Sequence, residues 1–351
     1  MQYLCRMKKS ILITGASGFI GSFLVEEALK QGFETWAGIR KTSSKKYLQD
    51  KHIHFIELDF SDLDKLCSQV REKNKKHGPW DVVLHAAGVT KCLHREDFEK
   101  YNYNATRNLV QALREEGMKP KQFVYLSSLS VFGPIREKPV TTNTNGLLYE
   151  PILETDEPEP NTAYGESKCR TEKYLRSLID YPYLIFRPTG VYGPRERDYY
   201  LMAKSISQHV DFSVGYTKQE ITFVYVKDLV QAIFLGINQE KTKREYFVSD
   251  GHVYESSAFS DLIQKELGVK MVFHIKAPVW LLKAICFVSG KFAALLKKPS
   301  TLNMDKYYIM KQRNWQCDIE PLIKELGYKP KYNLAKGVKE TIAWYKEEKW
   351  L

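Results

Sequence analysis

The sequence predicts an α/β protein with a doubly wound parallel sheet and a smaller, mostly helical C-terminal domain. Short apolar runs alternate with segments of helical periodicity through the first half of the 351 residues. A glycine-rich turn directly follows the first apolar run. After Arg187-Pro188 the alternation gives way to mainly helical spacing. In such a sheet, ligands bind outside the carboxyl ends of the strands.

The elements of the predicted sheet can be placed in order along the chain. The expected strands are Ile11–Thr14, Thr35–Ile39, Ile53–Leu58, Asp81–His85, Gln122–Ser127 and Tyr183–Phe186. The expected helices are Phe19–Lys30, Asp62–Lys76, Asp97–Gly117 and a segment from Asn161 or Thr162 to about Ile179. Two further runs, Ile221–Val226 and Glu245–Val248, are candidate strands of the same sheet.

These elements suggest a division into two domains. We expect residues 1–188 to form a dinucleotide-binding domain, to which 221–250 return. Residues 189–220 and 251–351 would form a substrate-binding domain. The irregular connection Ile135–Pro160 is long enough to be a functional lid.

The glycine-rich turn predicts a diphosphate site. The segment Thr14-Gly15-Ala16-Ser17-Gly18-Phe19-Ile20-Gly21 links the first strand to the first helix, whose N-terminal N–H groups and dipole attract phosphate. Its TGxxGxxG spacing resembles the extended branch of the short-chain dehydrogenase/reductase superfamily, the NAD-dependent epimerase/dehydratase family, which has a Rossmann-type fold. The cofactor-binding residues expected in this turn are Gly15, Ser17, Gly18, Phe19, Ile20 and Gly21.

The residue after the second strand bears on the choice of cofactor. NAD-binding sites usually place an acid here for the ribose hydroxyls. This sequence has Arg40, which favours the 2′-phosphate of NADP(H), although NAD(H) stays possible. The resemblance further implies that Asp59 meets the adenine amine and Phe60 the ring. It also implies that the cofactor lies against Ala86, Ala87 and Gly88, and against Pro188 and Val191.

The segment Tyr164-Gly165-Glu166-Ser167-Lys168 carries the predicted chemistry. Tyr164 and Lys168 are four residues apart and therefore share one helix face. A nearby ammonium and a cationic nicotinamide should lower the phenol pKa and make Tyr164 an acid/base catalyst, with both residues also holding the cofactor. By resemblance, Ser128 is the hydroxyl that orients the substrate oxygen and Asn104 the helix asparagine that supports Lys168. His85 is interpreted as structural.

The implied reaction interconverts a ketone and a secondary alcohol with NAD(P). Leu129 and Ser130 stand where sugar dehydratases have an Asp-Glu pair, and Gly190 where nucleotide-sugar enzymes often have Asn. The chain therefore looks closer to hydroxysteroid dehydrogenases and dihydroflavonol reductases, and a sterol or long-chain ketone is the expected substrate. The alternative is a nucleotide-sugar epimerase with a tightly bound cofactor.

Composition limits the other partners. The net charge of +11 comes with no nucleic-acid motif, and the six scattered cysteines include no CxxC pair, so neither nucleic acid nor a metal is expected. The first residues have no apolar stretch typical of a signal peptide, which favours a cytoplasmic location. Lys283, Gly290 and Lys291 interrupt the apolar segment Pro278–Leu296, so a membrane span is not expected. The segment is instead expected to line an apolar pocket, to rest on a membrane surface or to form a buried cap helix. By resemblance, a homodimer would form through Asp97–Gly117 and Asn161–Ile179.

Overall fold

The computed structural model describes residues 8–140, 146–296 and 303–351, with the backbone alone for 292–296. The strands are β1 Ser10–Thr14, β2 Glu34–Ile39, β3 His54–Glu57, β4 Val82–His85, β5 Gln122–Leu126, β6 Tyr183–Pro188, β7 Gly190–Tyr192, β8 Val210–Val214, β9 Glu220–Ile221, β10 Phe223–Tyr225, β11 Arg244–Val248, β12 Tyr254–Glu255, β13 Phe273–Ala277 and β14 Asn314–Trp315. The helices are α1 Phe19–Lys30, α2 Leu63–His77, α3 Arg95–Phe98, α4 Ala105–Glu115, α5 Ala163–Ser177, α6 Asp198–Ser207, α7 Val226–Asn238, α8 Ala258–Leu267, α9 Val279–Leu296, α10 Met304–Lys311, α11 Glu320–Leu326 and α12 Leu334–Glu347. A π-helix, Glu99–Asn104, joins α3 to α4.

The central sheet has seven parallel strands in the order β3-β2-β1-β4-β5-β6-β11. The order reverses at β1, because β2 lies on one side of it and β4 on the other. This reversal opens a crevice at the carboxyl ends of β1 and β4. All six strands predicted before residue 188 are confirmed, with small differences at their ends, and the doubly wound α/β fold is confirmed.

Helices cover both faces of the sheet because successive side chains of a buried strand point to opposite sides. Ile11 and Ile13 of β1 pack in the same cluster as apolar residues of α1 and α7. Leu12 lies between them in sequence and packs in a second cluster with apolar residues of α2 and α4. Of the described helices, none is long and apolar enough to cross a membrane.

The chain after β6 differs in part from the prediction. Glu245–Val248 lies within β11, which extends the central sheet beside β6. The prediction for Ile221–Val226 was wrong: this run divides into β9 and β10, which pair with short strands outside the main sheet, and Val226 begins α7. Because β11 occupies the edge next to β6, β10 pairs with β7 instead.

The predicted long helix Asp97–Gly117 is also divided. Its first part contains the end of α3 and the π-helix, and only Ala105–Glu115 forms regular α4. The π-helix changes which side chains face the sheet, with a consequence for the candidate site. The segment 135–160 is irregular where it is described, and Arg136 braces it through ion pairs with Glu150 and Asp156.

Candidate active site

The glycine turn brings β1, α1 and the end of β4 into direct contact. Gly15 has a φ of +68°, and a Cβ there would lie 2.7 Å from the amide nitrogen of Ala87. A Cβ on Gly21 would lie 2.0 Å from the carbonyl oxygen of Gly15. Gly18 caps α1 without a side-chain acceptor, and the first turn contains no acid. The turn therefore offers main-chain N–H groups and a positive helix end at the crevice, which suit a diphosphate.

Behind the turn, His85 is held in a chain of hydrogen bonds. Its Nδ1 lies 2.8 Å from the Thr14 hydroxyl, and its Nε2 lies 3.0 Å from the Thr106 hydroxyl. Thr106 donates its own proton to the carbonyl oxygen of Asn102, so it must accept the proton on His85 Nε2. Burial lowers the pKa of His85 to about 3, and Lys168 acts in the same direction. His85 is therefore neutral at physiological pH, which suits a structural role.

Ser128, Tyr164 and Lys168 meet at the carboxyl end of β5. The Ser128 hydroxyl, which caps the following turn through Ser130 N–H, lies near enough to the Tyr164 phenol to act on its pKa. Lys168 is buried, donates a 2.7 Å hydrogen bond to the carbonyl oxygen of Leu126, and lies 6.0 Å from the centre of the Tyr164 ring. The structure thus brings together the hydroxyl, phenol and amine that the sequence places on two separate elements.

The expected lowering of the phenol pKa includes the effect of a cationic nicotinamide, and the protein groups by themselves do not produce it. Burial raises the pKa of Tyr164 to about 12, and the hydrogen bond with Ser128 acts in the opposite direction. Burial also lowers the pKa of Lys168 to about 8, opposed by the Glu172 carboxylate. The prediction counted the attraction of an ammonium and omitted the cost of burying both charges.

The helix asparagine next to these groups is Asn102 and not Asn104. Asn102 is buried, accepts a hydrogen bond from Val89 N–H, and donates to the Val89 carbonyl and to the Ser167 hydroxyl. A Cβ on Gly88 would lie 3.0 Å from Asn102 Oδ1 and 3.5 Å from Lys168 Nζ. Asn104 is only half-buried, at the end of the π-helix. Both asparagines lie in the π-helix, whose wider turns direct side chains differently from those of a regular α-helix.

Two residues of the site were missed in the sequence. Gly165 follows the tyrosine, and a Cβ there would lie 2.4 Å from the carbonyl oxygen of Ser130, so its absence lets α5 approach the Ser128 loop. Asp305 begins α10, and its carboxylate oxygens accept 3.2 Å hydrogen bonds from Ala163 N–H and Tyr164 N–H. Glycine could have been recognised as unusual inside a helix. Nothing local to Asp305 signals a partner so far away in the chain.

The residues predicted to bind adenosine lie at the ends of β2 and β3. Arg40 is exposed, and its main chain forms a turn with Ser43. Asp59 bonds the Ser61 hydroxyl and pairs with Lys65 at 2.9 Å, and these contacts lower its pKa to about 2. Phe60 contacts His85 edge-to-face, with ring centres 5.7 Å apart.

The segment after β6 forms a closely packed aromatic wall. Pro188 ends β6, and β7 begins at Gly190 and includes Val191, which is partly buried. A Cβ on Gly190 would lie 2.8 Å from the Tyr199 hydroxyl and 3.2 Å from the Phe223 ring. An asparagine at this position would therefore displace aromatic side chains.

Comparison with known proteins identifies the family to which this sequence is similar. The sequence model of the NAD dependent epimerase/dehydratase family matches residues 11–275. A UDP-glucose 4-epimerase of Vibrio cholerae is 27% identical over 352 residues, covering 96% of this chain and 95% of that protein. The decarboxylating sterol-4-alpha-carboxylate 3-dehydrogenase of Candida albicans is 24% identical, covering 97% and 98%.

Solved structures of low sequence identity share the fold. The UDP-glucose 4-epimerase of Thermus thermophilus in complex with NAD has a TM-score of 0.73 at 20% identity, over 96% of this chain and 99% of that one. The dTDP-glucose 4,6-dehydratase of Bacillus anthracis in complex with NAD has a TM-score of 0.73 at 18% identity, over 97% and 98%. Enzymes with different reactions thus have the same architecture.

Proposed function

The chain belongs to the NAD-dependent epimerase/dehydratase family, and we propose that it interconverts a ketone and a secondary alcohol on a lipophilic substrate, using a nicotinamide dinucleotide. The observation that carries the reaction type is the convergence of Ser128, Tyr164 and Lys168. The glycine turn, which a Cβ at Gly15 or Gly21 would fill, suits the diphosphate of such a cofactor. We propose that Ser17, Gly18, Phe19 and Ile20 line this site with them.

In the proposed mechanism the nicotinamide, when bound, supplies the hydride for reduction and accepts it for oxidation. Ser128 holds the substrate oxygen by a hydrogen bond and orients it toward Tyr164. The phenol, whose pKa burial raises to about 12, keeps its proton until the oxygen gains negative charge and then donates it. Lys168, fixed by the Leu126 carbonyl, stabilises the resulting phenolate.

The wall around Gly190 supports a lipophilic substrate. Tyr199 and Phe223 take the space in which an asparagine side chain would stand, and Tyr192 and Phe259 pack against them. This buried packing leaves no room for the asparagine that nucleotide-sugar enzymes often carry here, so the chain lacks that contact to a nucleotide diphosphate. Leu129 and Ser130 also provide no acid/base pair for dehydration.

The epimerase alternative is supported by the Vibrio cholerae relative. An epimerase regenerates its cofactor in each turnover, whereas a reductase consumes it. The test is to mix the purified protein with reduced nicotinamide cofactor and either a sterol ketone, a long-chain ketone or UDP-glucose, and to follow cofactor absorbance and sugar products. We expect stoichiometric oxidation of the cofactor with a lipid ketone. Conversion of UDP-glucose without added cofactor would instead establish the epimerase.

For the cofactor we propose NADPH over NADH, because the exposed Arg40 follows β2 where a 2′-phosphate would lie. The charge-assisted hydrogen bonds of one arginine contribute about 1.5–3 kcal/mol, or about ten- to a hundredfold in affinity. Arg40→Ala should weaken NADPH binding by that factor and leave NADH binding unchanged, as titration calorimetry can measure. Lys30→Ala, an exposed change on α1, is the matched control.

A further inference from the structure

Over 279–291, the part of α9 whose side chains the structure describes, most apolar side chains are exposed. Leu282 and Cys286 lie four residues apart, are buried, and pack in a cluster with Tyr307 of α10. Other apolar side chains of the described part of α9 face solvent: Trp280 is 71% exposed, Phe287 54% and Val288 56%. A helix that needed only to complete the core would have polar residues at such positions.

The strand before α9 continues this exposure. In β13, Phe273 is 64% exposed, and Ile275 pairs in register with Phe212 of β8, which is 62% exposed. Val279 at the start of α9 and Val214 at the end of β8 both pack against the cluster of Leu282, Cys286 and Tyr307. We call these side chains together the apolar surface; its members are Phe212, Phe273, Ile275, Trp280, Leu281, Ile285, Phe287 and Val288.

The segment that carries most of the apolar surface contains lysines and no acidic residue. No aspartate or glutamate occurs between Glu266 and Asp305, whereas six lysines do: Lys270, Lys276, Lys283, Lys291, Lys297 and Lys298. The amines of Lys276 and Lys291 lie over the rings of Tyr216 and Phe287, so positive charge stands beside exposed aromatic side chains. On β8, Asp211 is buried and pairs with His274.

We propose that the apolar surface docks on an anionic lipid bilayer, with its aromatic side chains in the headgroup region and its lysines on lipid phosphates. Exposed Trp and Phe next to lysines fit the interface between hydrocarbon and water. A second copy of the chain fits less well, because a symmetric contact would oppose lysines to lysines with no acids in 267–304 to pair with them.

The docking surface is connected to the candidate site through one helix. The buried side of α9 packs on α10. Asp305 at the start of α10 accepts the N–H groups of Ala163 and Tyr164. A bilayer beneath α9 would thus lie next to the element that holds the N-terminus of α5. The docking itself requires no particular substrate.

The experiment measures binding of the full chain to vesicles by flotation. Vesicles of phosphatidylcholine with phosphatidylglycerol should retain the protein. A Trp280→Ser/Phe287→Ser double variant should bind these vesicles with an affinity that is lower by about tenfold or more. Lys283→Gln/Lys291→Gln should lower binding to the anionic vesicles about twenty-fivefold, since each lysine near the surface contributes about fivefold. Binding to pure phosphatidylcholine should stay unchanged. Ile179→Ser, at an 82% exposed residue of another region, is the matched control.

Three results would overturn the proposal. The first is that the wild type does not bind anionic vesicles, and the second is that both double variants bind as the wild type does. The third is that the protein is a dimer in vesicle-free buffer and that the Trp280→Ser/Phe287→Ser change dissociates it. The last result would assign the surface to a second copy. Circular dichroism of each variant verifies folding, and Trp280→Phe verifies that any blue shift of tryptophan fluorescence on vesicles comes from Trp280. Turnover is not measured, so a wrong substrate class leaves this test intact.

Discussion

Helices α5 and α9 both carry aromatic residues and lysines, but they present them to different environments. On α5, Lys168 is buried and bonded to Leu126, and burial lowers its pKa to about 8. On α9, Lys283 and Lys291 are exposed beside exposed rings. The same residue types therefore suit the proposed chemistry in one helix and the proposed membrane contact in the other. What separates the two uses is burial, which the residue types alone do not reveal.

The largest expected effect concerns the interior region. Tyr164→Phe removes the proton donor and retains the ring that packs on Phe98. Turnover should fall by about 10²–10⁴-fold, whereas cofactor affinity and vesicle binding should stay near wild type. Steady-state kinetics and cofactor titration check this. Wild-type turnover in the variant would contradict the assignment of Tyr164.

The glycines of the two helices allow a direct comparison. Gly165→Ala places a methyl group 2.4 Å from the Ser130 carbonyl oxygen, whereas the same change at Gly290 of α9 meets nothing within 4 Å. Gly165→Ala should displace α5 from Ser128 and reduce turnover up to about a hundredfold. Gly290→Ala should leave turnover unchanged and stabilise the protein by up to about 1 kcal/mol. If the two variants have the same turnover and the same free energy of unfolding, then the close contact at Gly165 does not position α5.

Asparagines 102 and 104 test the interior network. Asn102→Ala leaves both main-chain groups of Val89 and the Ser167 hydroxyl without their partner, so the free energy of unfolding should fall by about 3 kcal/mol. Asn104→Ala, two residues away and half-buried, is the control and should cost less than about 1 kcal/mol. Urea denaturation measures both values. A larger loss in the Asn104 variant would restore the sequence-based assignment.

Asn102 and Asn104 also illustrate how much of the fold and the site could be predicted from the sequence. The strands before residue 188 and the glycine turn have local signals, namely apolar runs and glycine spacing, and the structure has them where expected. The pair Tyr164 and Lys168 needed only helical periodicity. Asn102 was missed because Asn104 was chosen by motif resemblance, which does not show which of two nearby asparagines faces the site in a π-helix. Gly165 and Asp305 were missed because their partners come from distant segments, and long-range packing leaves no local pattern.

The last prediction concerns how the free energy of unfolding depends on pH. We expect this dependence to come from the buried His85 and not from the exposed residues of α9. Burial lowers the pKa of His85 to about 3, from an unfolded value near 6.5, so between these values the unfolded chain binds the additional proton. Stability due to neutral His85 is thus fully present above pH 7 and falls as the pH decreases, by about 2 kcal/mol at pH 5. His85→Gln should lose less stability than wild type between pH 7 and pH 5 in urea unfolding. Gln keeps a donor and an acceptor for Thr14 and Thr106, so the two proteins differ mainly in whether residue 85 can bind a proton. If both proteins lose the same unfolding free energy between pH 7 and pH 5, His85 is not the cause of the loss.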